Sequence, residues 1–287
     1  MYIPLRPMKN IENSIYLFVE GEFDKEVLNC IFDGKPVIVE FLGSCEILRR
    51  IAYSPNIADY SLFLIDRDHY SFEKDANDHF LFPKLEWKNH LVIWPKRELE
   101  NYFIDADFLV QLPENIRKAT KEAIEERILK ICQKRLFLDV ANYVINSLRV
   151  EMRDEWIDNF RNSDLEKCQT RDDFLHALLR MDAWKTIQSR ASQLAEPSEI
   201  ERRFRCYHEL MVGDFTERLT LGQGKWLNMT SGKDVLNELV NNTGFFASNI
   251  TVNDVAKQLL RIPGVKLPDD FIDLRNTMIQ RTKQIIK

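Results

Sequence analysis

Ser14–Cys30 reads SIYLFVEGEFDKEVLNC, and its reading decides the fold. Ile15, Leu17, Phe18 and Val19 form a short apolar run rich in strand formers, which predicts a buried strand. Glu20 closes the run. Gly21 follows, and a residue without a Cβ lets the chain turn sharply. Val27, Leu28, Ile31 and Phe32 then recur at helical spacing, predicting a helix from about Asp24 to Phe32. Glu20 thus falls at the carboxyl end of a strand, where open α/β sheets place their ligands. Asp24 lies in the first helical turn and can face the same crevice.

Outward from this stretch the pattern repeats. Lys35-Pro36 introduces a second strand, Val37, Ile38, Val39 and Phe41. Ser44 is a candidate N-cap for a helix through Ile47, Leu48, Ile51 and Ala52. Tyr60, Leu62, Phe63, Leu64 and Ile65 predict a third strand, ending at Asp66-Arg67-Asp68. After a long polar loop, Leu91, Val92, Ile93 and Trp94 predict a fourth, stopped by Pro95. Strands alternating with helices imply an α/β fold with a mainly parallel sheet of about four strands and right-handed crossovers. From about Asp107 the alternation ceases. Ala123, Ile124 and Ile128 carry helical spacing, as do Phe271, Leu274 and Met278. The expected organisation is an α/β domain over residues 1–107 and a mostly α-helical region over 108–287.

Composition narrows the function classes. With 287 residues, 45% of them hydrophobic, the chain can bury a sizeable core in one large domain or two ordinary ones. A formal net charge of −5 argues against a basic coat for non-specific nucleic-acid binding. It leaves room for a nuclease whose acids are neutralised by metal ions. The five cysteines, Cys30, Cys45, Cys132, Cys168 and Cys206, are scattered and form no C-x-x-C pair, so free thiols are expected rather than disulfides or a zinc site. No apolar run approaches the roughly 20 residues that span a bilayer. MYIPLRPMKN has no long apolar core, so no signal peptide and a cytoplasmic location are expected.

Three strand ends carry acids: Glu20, then Asp66 and Asp68, then Glu98 and Glu100. In a parallel sheet those ends share one edge. Alternate residues after a strand can project the same way, so Asp66 and Asp68 can reach one metal. Carboxylates brought together repel, and burying them is expensive without a cation. Hard oxygen ligands suit Mg²⁺ or Mn²⁺, as one or two ions. Such ions activate water and stabilise charge on a transferring phosphoryl group. Each motif alone is weak, since aspartates also cap turns and acids also favour helix starts. Their order and strand-end placement carry the joint reading.

That order, Glu-Gly after strand one and Asp-x-Asp after strand three, resembles the TOPRIM domain of topoisomerases, DnaG-type primases and OLD-family nucleases. Arg97-Glu98-Leu99-Glu100-Asn101-Tyr102-Phe103 resembles the R-x-[IL]-E-N-Y-[FL] segment of the OLD type. The layout is most similar to the TOPRIM nuclease effectors of the PARIS anti-phage system. The resemblance covers residues 14 to about 110 and implies a Mg²⁺- or Mn²⁺-dependent endonuclease acting as a toxic effector. Glu20 would hold metal or serve as the acid–base, and Asp66 and Asp68 would bind metal. Asp24 and Glu100 would complete a second site; Glu98 competes with Glu100 for that role. Many OLD proteins have glutamate at the position of Asp24, so the shorter side chain can reach an ion through water. Lys233, in Gly232-Lys233-Asp234-Val235-Leu236, would stabilise the transition state. Asn101 and Tyr102 read as scaffolding. The partners implied are an ABC-type ATPase that holds the nuclease, host tRNA as substrate, and a second copy once released. The alternatives are an OLD-type DNA-nicking endonuclease and a non-catalytic metal-binding partner module.

Other features read more plainly. Arg67 and His69 flank the acids and can meet a substrate phosphate or solvent. Arg202, Arg203 and Arg205 can contact an RNA backbone or form a solvated helix face. Gly222-Gln223-Gly224-Lys225 fails the phosphate-loop test, because Leu219 stands where the first glycine belongs. ATP hydrolysis by this chain is not expected.

Overall fold

Unbroken burial makes β1 (Ile15–Val19) an interior strand of a sheet. The computed structural model describes residues 14–68, 84–112, 119–154, 170–180, 182–213, 218–242, 244–246 and 250–285. In it β1 pairs in parallel with β2 (Val37–Phe41) and with β3 (Ser61–Ile65). β3 pairs in parallel with β5 (Leu91–Ile93), and β4 (Glu86–Lys88) runs antiparallel to β5. The order is β2-β1-β3-β5-β4. The fold is therefore α/β, with a mostly parallel five-stranded sheet, flanking helices and a helical C-terminal region. Near-continuous apolar runs suit parallel strands buried on both faces, and β1, β3 and β5 are apolar and buried along almost their whole length.

β4 is the strand that the sequence pattern did not reveal. Its residues, Glu86-Trp87-Lys88, are three and mostly polar, and Lys88 sits opposite Leu91 across a tight turn. Asn89 takes φ 55° there, a left-handed conformation that asparagine tolerates better than most residues.

α1 spans Glu22–Ile31 and buries Val27, Leu28 and Ile31. Gly21 is its N-cap, but with φ −138° it is extended, a conformation open to any residue. The turn comes from the switch to helix at Glu22, and the expected need for glycine is not observed. α2 spans Cys45–Ala52 behind the expected N-cap Ser44 and buries Cys45, Leu48 and Ala52.

After β5 the chain makes a short 3₁₀ helix, Leu99–Tyr102, and α3, Ala106–Leu109. Then follow α4 (Lys121–Asp154), α5 (Arg171–Leu179), α6 (Asp182–Leu194), α7 (Pro197–Val212), α8 (Trp226–Met229), α9 (Gly232–Asn242), α10 (Val252–Arg261) and α11 (Asp269–Ile285). Contacts group the described residues of Met1–Asp68, Phe72–Lys134 and Trp226–Lys287 into one compact unit and those of Arg135–Lys225 into another. The last helices therefore belong with the sheet, where the sequence pattern alone placed a single boundary near residue 107. Among the described residues no helix is long and apolar enough to cross a membrane.

The Arg97–Phe103 stretch explains that grouping. Asn101 Nδ2 donates to Leu227 O at 2.8 Å and to Thr230 O at 3.0 Å. The Arg97 N–H donates to Asn228 O at 2.9 Å, and its guanidinium to Met229 O at 3.1 Å. The Tyr102 hydroxyl donates to Asp270 at 2.7 Å, and its ring packs with Trp94 and Phe271. Asn101 and Tyr102 act as the scaffolding that the sequence pattern implies.

In the second unit the arginine cluster is internally satisfied. Arg203, 8% exposed, bonds Glu199 at 2.7 Å, Glu151 at 2.6 Å and Ser147 at 3.0 Å. Arg202 pairs with Glu199 at 2.8 Å, and Arg205 pairs with Glu201. A cation already held by two carboxylates in the low-dielectric interior is structural. The Gly222–Lys225 loop is also structural. Gly224 has φ 64°, and a Cβ on it would stand 2.0 Å from Met211 O, so the loop is a close backbone approach to the end of α7.

Gly232 is equally constrained: a Cβ there would lie 2.5 Å from Asn101 N and 2.7 Å from its Oδ1. Replacing it with alanine should lower the unfolding free energy by about 1–3 kcal/mol, the usual result of overpacking. Urea denaturation measures this. An unchanged midpoint would show that α9 does not start against Asn101.

Candidate metal centre

In a parallel sheet the carboxyl ends of β1, β2, β3 and β5 share one rim, and the chain places a polar side chain just after each. Glu20 follows β1, Cys45 opens α2 after β2, Asp66 and Asp68 follow β3, and Glu98 and Glu100 follow β5. Asp24, in the first turn of α1, joins them.

A lattice of backbone bonds fixes these groups. The Asp66 N–H donates to Glu20 Oε1 at 2.8 Å, tying β1 to β3. The Cys45 N–H also donates to Glu20. The Leu99 N–H donates to Asp66 Oδ1 at 3.0 Å. The Gly21 N–H donates to Asp24 Oδ2 at 2.9 Å. The Asp68 N–H donates to Arg97 O at 2.7 Å, which holds Asp68 at φ 50°. A non-glycine residue in the left-handed region stores strain of order 1–3 kcal/mol, tolerated where the surroundings over-determine it.

One carboxylate oxygen each of Glu20 and Asp68 and the Cys45 sulfur all lie within 4.8 Å of one another. Together these donors could hold a metal ion. Among the described residues no second set of three reaches that spacing. Asp68 arrives through its left-handed turn, not by the strand-like alternation that the sequence pattern implies. Asp66, whose carboxylate is engaged by Leu99, stands beside the trio. Cys45 is the member that sequence reasoning missed. The available signal was its place at the mouth of the β2–α2 connection, next to β1.

Asp24, Asp66 and Glu100 form the rest of the acidic field. Burial pushes the Glu20 carboxyl up from 4.5 to about 7, with the Asp68 charge adding to it. Burial, then the Glu100 and Glu20 charges, raise Asp24 from 3.8 to about 8. Asp66 is raised well above its ordinary value by burial and by Asp24, Glu20, Glu100 and Asp68. Burial raises Glu100 to about 7, and the Lys233 charge opposes that rise. Carboxyls pushed up together in this way are what a divalent cation would relieve, because it favours the charged form of all of them.

Glu98 and Glu100 have different surroundings. Glu98 accepts the Lys233 N–H at 2.9 Å and the Ser231 hydroxyl at 3.4 Å, and lies 3.4 Å from Arg97 Nε. It clamps the start of α9. Glu100 is 9% exposed and couples electrostatically to Asp24, Asp66 and Asp68. The same clamp brings Lys233, from the far end of the chain, to the acidic rim. Arg67 does not face this rim as a free cation. It is 5% exposed and bonds Trp94 O at 3.1 Å and Glu86 at 3.1 Å, bracing β3 to its neighbours. His69 lies outside the described residues.

Compared with known proteins, the chain matches no family model and no curated protein.

The raised carboxyls set the pH dependence. Between about pH 4 and 8 the folded chain holds more protons than the unfolded one, so its stability falls as pH rises through that window. Thermal unfolding of the metal-free protein should give a lower Tm at pH 8.5 than at about pH 5.5. Mn²⁺ should raise Tm more at the higher pH. Asp24→Asn should flatten the metal-free slope. A Tm that rises with pH in the metal-free protein would contradict the crowding.

Proposed function

We propose that the chain is a divalent-metal-dependent endonuclease of the TOPRIM type, related to OLD-family enzymes and acting as a toxic effector in anti-phage defence. The observation that carries this reading is the gathering of Glu20, Asp66, Asp68 and Glu100 with Asp24 at one rim of a parallel sheet. The order of these residues along the chain and the ENY stretch give the resemblance its detail.

Glu20, Asp66 and Asp68 would hold one Mg²⁺ or Mn²⁺, and Asp24 and Glu100 would complete a second site. When bound, such ions supply Lewis acidity and a nucleophilic water at neutral pH. In the alternative arrangement, where Glu20 stands beside the ion instead of holding it, its carboxyl, raised to about 7 by burial, would accept a proton from the attacking water. Lys233, whose charge is felt at Glu100, would meet negative charge growing on the phosphate. The strained turn at Asp68 and the bonds to Glu20 preorganise the rim before substrate arrives. The substrate is host tRNA, and a partner ABC-type ATPase restrains the enzyme until infection. Released copies act as homodimers in the cytoplasm.

Glu20→Gln should reduce cleavage by at least about a hundredfold, as loss of a group that assembles the transition state does. Thermal unfolding should remain cooperative in that variant. End-labelled tRNA and supercoiled plasmid, assayed side by side with Mn²⁺, read out both substrate classes. Cleavage of plasmid alone would assign a DNA-nicking enzyme. Full cleavage by the variant would remove the metal-centred mechanism.

A further inference from the structure

We infer that Cys45 is itself a ligand of the rim ion, so that the position it shares with Glu20 and Asp68 selects a borderline transition ion such as Fe²⁺, Co²⁺ or Zn²⁺ over Mg²⁺. This rests on the metal-centre reading above and adds a sulfur donor to an otherwise all-oxygen site.

The geometry carries it. The Cys45 sulfur and the two carboxylate oxygens lie within 4.8 Å of one another. Ligands of one tetrahedral ion, with bonds of ~2.1 Å to oxygen and ~2.3 Å to sulfur, lie roughly 3.6 Å apart. Closing the site therefore takes side-chain shifts of at most about an ångström. Cys45 is buried and is the first residue of α2. Its backbone N–H is bonded to Glu20, so its position is set by the same carboxylate it would share an ion with. Arg49 Nε donates to the sulfur at 3.2 Å. A buried thiol used as a small apolar group packs among hydrocarbon. This one is set among two carboxylates and a guanidinium, the surroundings of a ligand.

Chemical consequences follow from the donor. Sulfur is a soft ligand: it strengthens binding of transition ions and adds nothing for Mg²⁺, which prefers an octahedron of hard oxygens. Asp24 and Glu100, at the second position, offer oxygen alone. Two ions on this rim would therefore not be equivalent, with the transition ion at the Cys45 position and a hard ion at the other.

Co²⁺ titration of the purified full-length protein, followed by absorption spectroscopy, tests this without any measurement of activity. The wild type should show Co²⁺ ligand-field bands together with a near-ultraviolet sulfur-to-cobalt charge-transfer band. In Cys45→Ser, with an unchanged far-ultraviolet circular dichroism spectrum, the charge-transfer band should vanish and Co²⁺ affinity should fall at least about tenfold. A tenfold excess of Mg²⁺ should leave the wild-type charge-transfer band in place. Ligand-field bands without charge transfer in the wild type would overturn the sulfur ligand and leave the metal centre standing. So would a charge-transfer band that survives in Cys45→Ser. Loss of the band to equimolar Mg²⁺ would overturn the selectivity. No Co²⁺ binding by the wild type would overturn the metal centre itself.

Discussion

Mutual repulsion among buried carboxyls is the constraint around which this molecule is built. Glu20, Asp24, Asp66 and Glu100 each feel at least one other acid of the rim, Asp68 raises three of them, and burial denies them the water that would screen them. A chain gains nothing in stability from such crowding unless a cation answers it. The fold therefore spends other interactions to hold the acids in place. Backbone N–H groups point at Glu20 and Asp66, and the Asp68 turn is kept in a left-handed conformation by a bond to Arg97 O.

The Arg97–Phe103 stretch is the second requirement. It delivers Glu100 to the rim and at the same time fastens the C-terminal helices to the sheet. Asn101 alone bonds two carbonyls of the 227–230 segment, and its close approach leaves no room for a Cβ at Gly232. Glu98 completes the fastening by accepting the Lys233 N–H. One short segment thus couples the acidic rim to Lys233, whose charge is felt at Glu100. Substitutions in Asn101 or Gly232 would disturb the site through position rather than chemistry.

Much of this was legible in the sequence, for reasons that belong to particular residues. Parallel strands buried on both faces are apolar runs, so β1, β3 and β5 stand out by composition alone, and the edge strand β2 by its Val-Ile-Val run. Glu20 and Asp66 follow because they close such runs, and Glu100 from its place in the Glu100-Asn101-Tyr102 segment. β4 was hidden because Glu86-Trp87-Lys88 is short, polar and half-exposed. The placement of Asp68 depends on a positive φ that no local rule requires of aspartate. Cys45 gave only its place after β2 as a signal, because the tie between β1 and the start of α2 is a long-range contact. The return of Trp226–Lys287 to the sheet was hidden for the same reason, since its bonds to Asn101 span 126 and 129 residues. The buried arginine network of α7 shows the reverse case, in which a charge run that looks like a surface is partly interior.

Anomalous diffraction from crystals soaked in Mn²⁺ tests the central claim most directly. A peak bonded to Glu20 and Asp68 at the carboxyl rim is expected, with Asp24, Asp66 and Glu100 within reach of that ion or of a second. Full Mn²⁺ occupancy elsewhere on the molecule, with the rim carboxyls still apart and unligated, would contradict it.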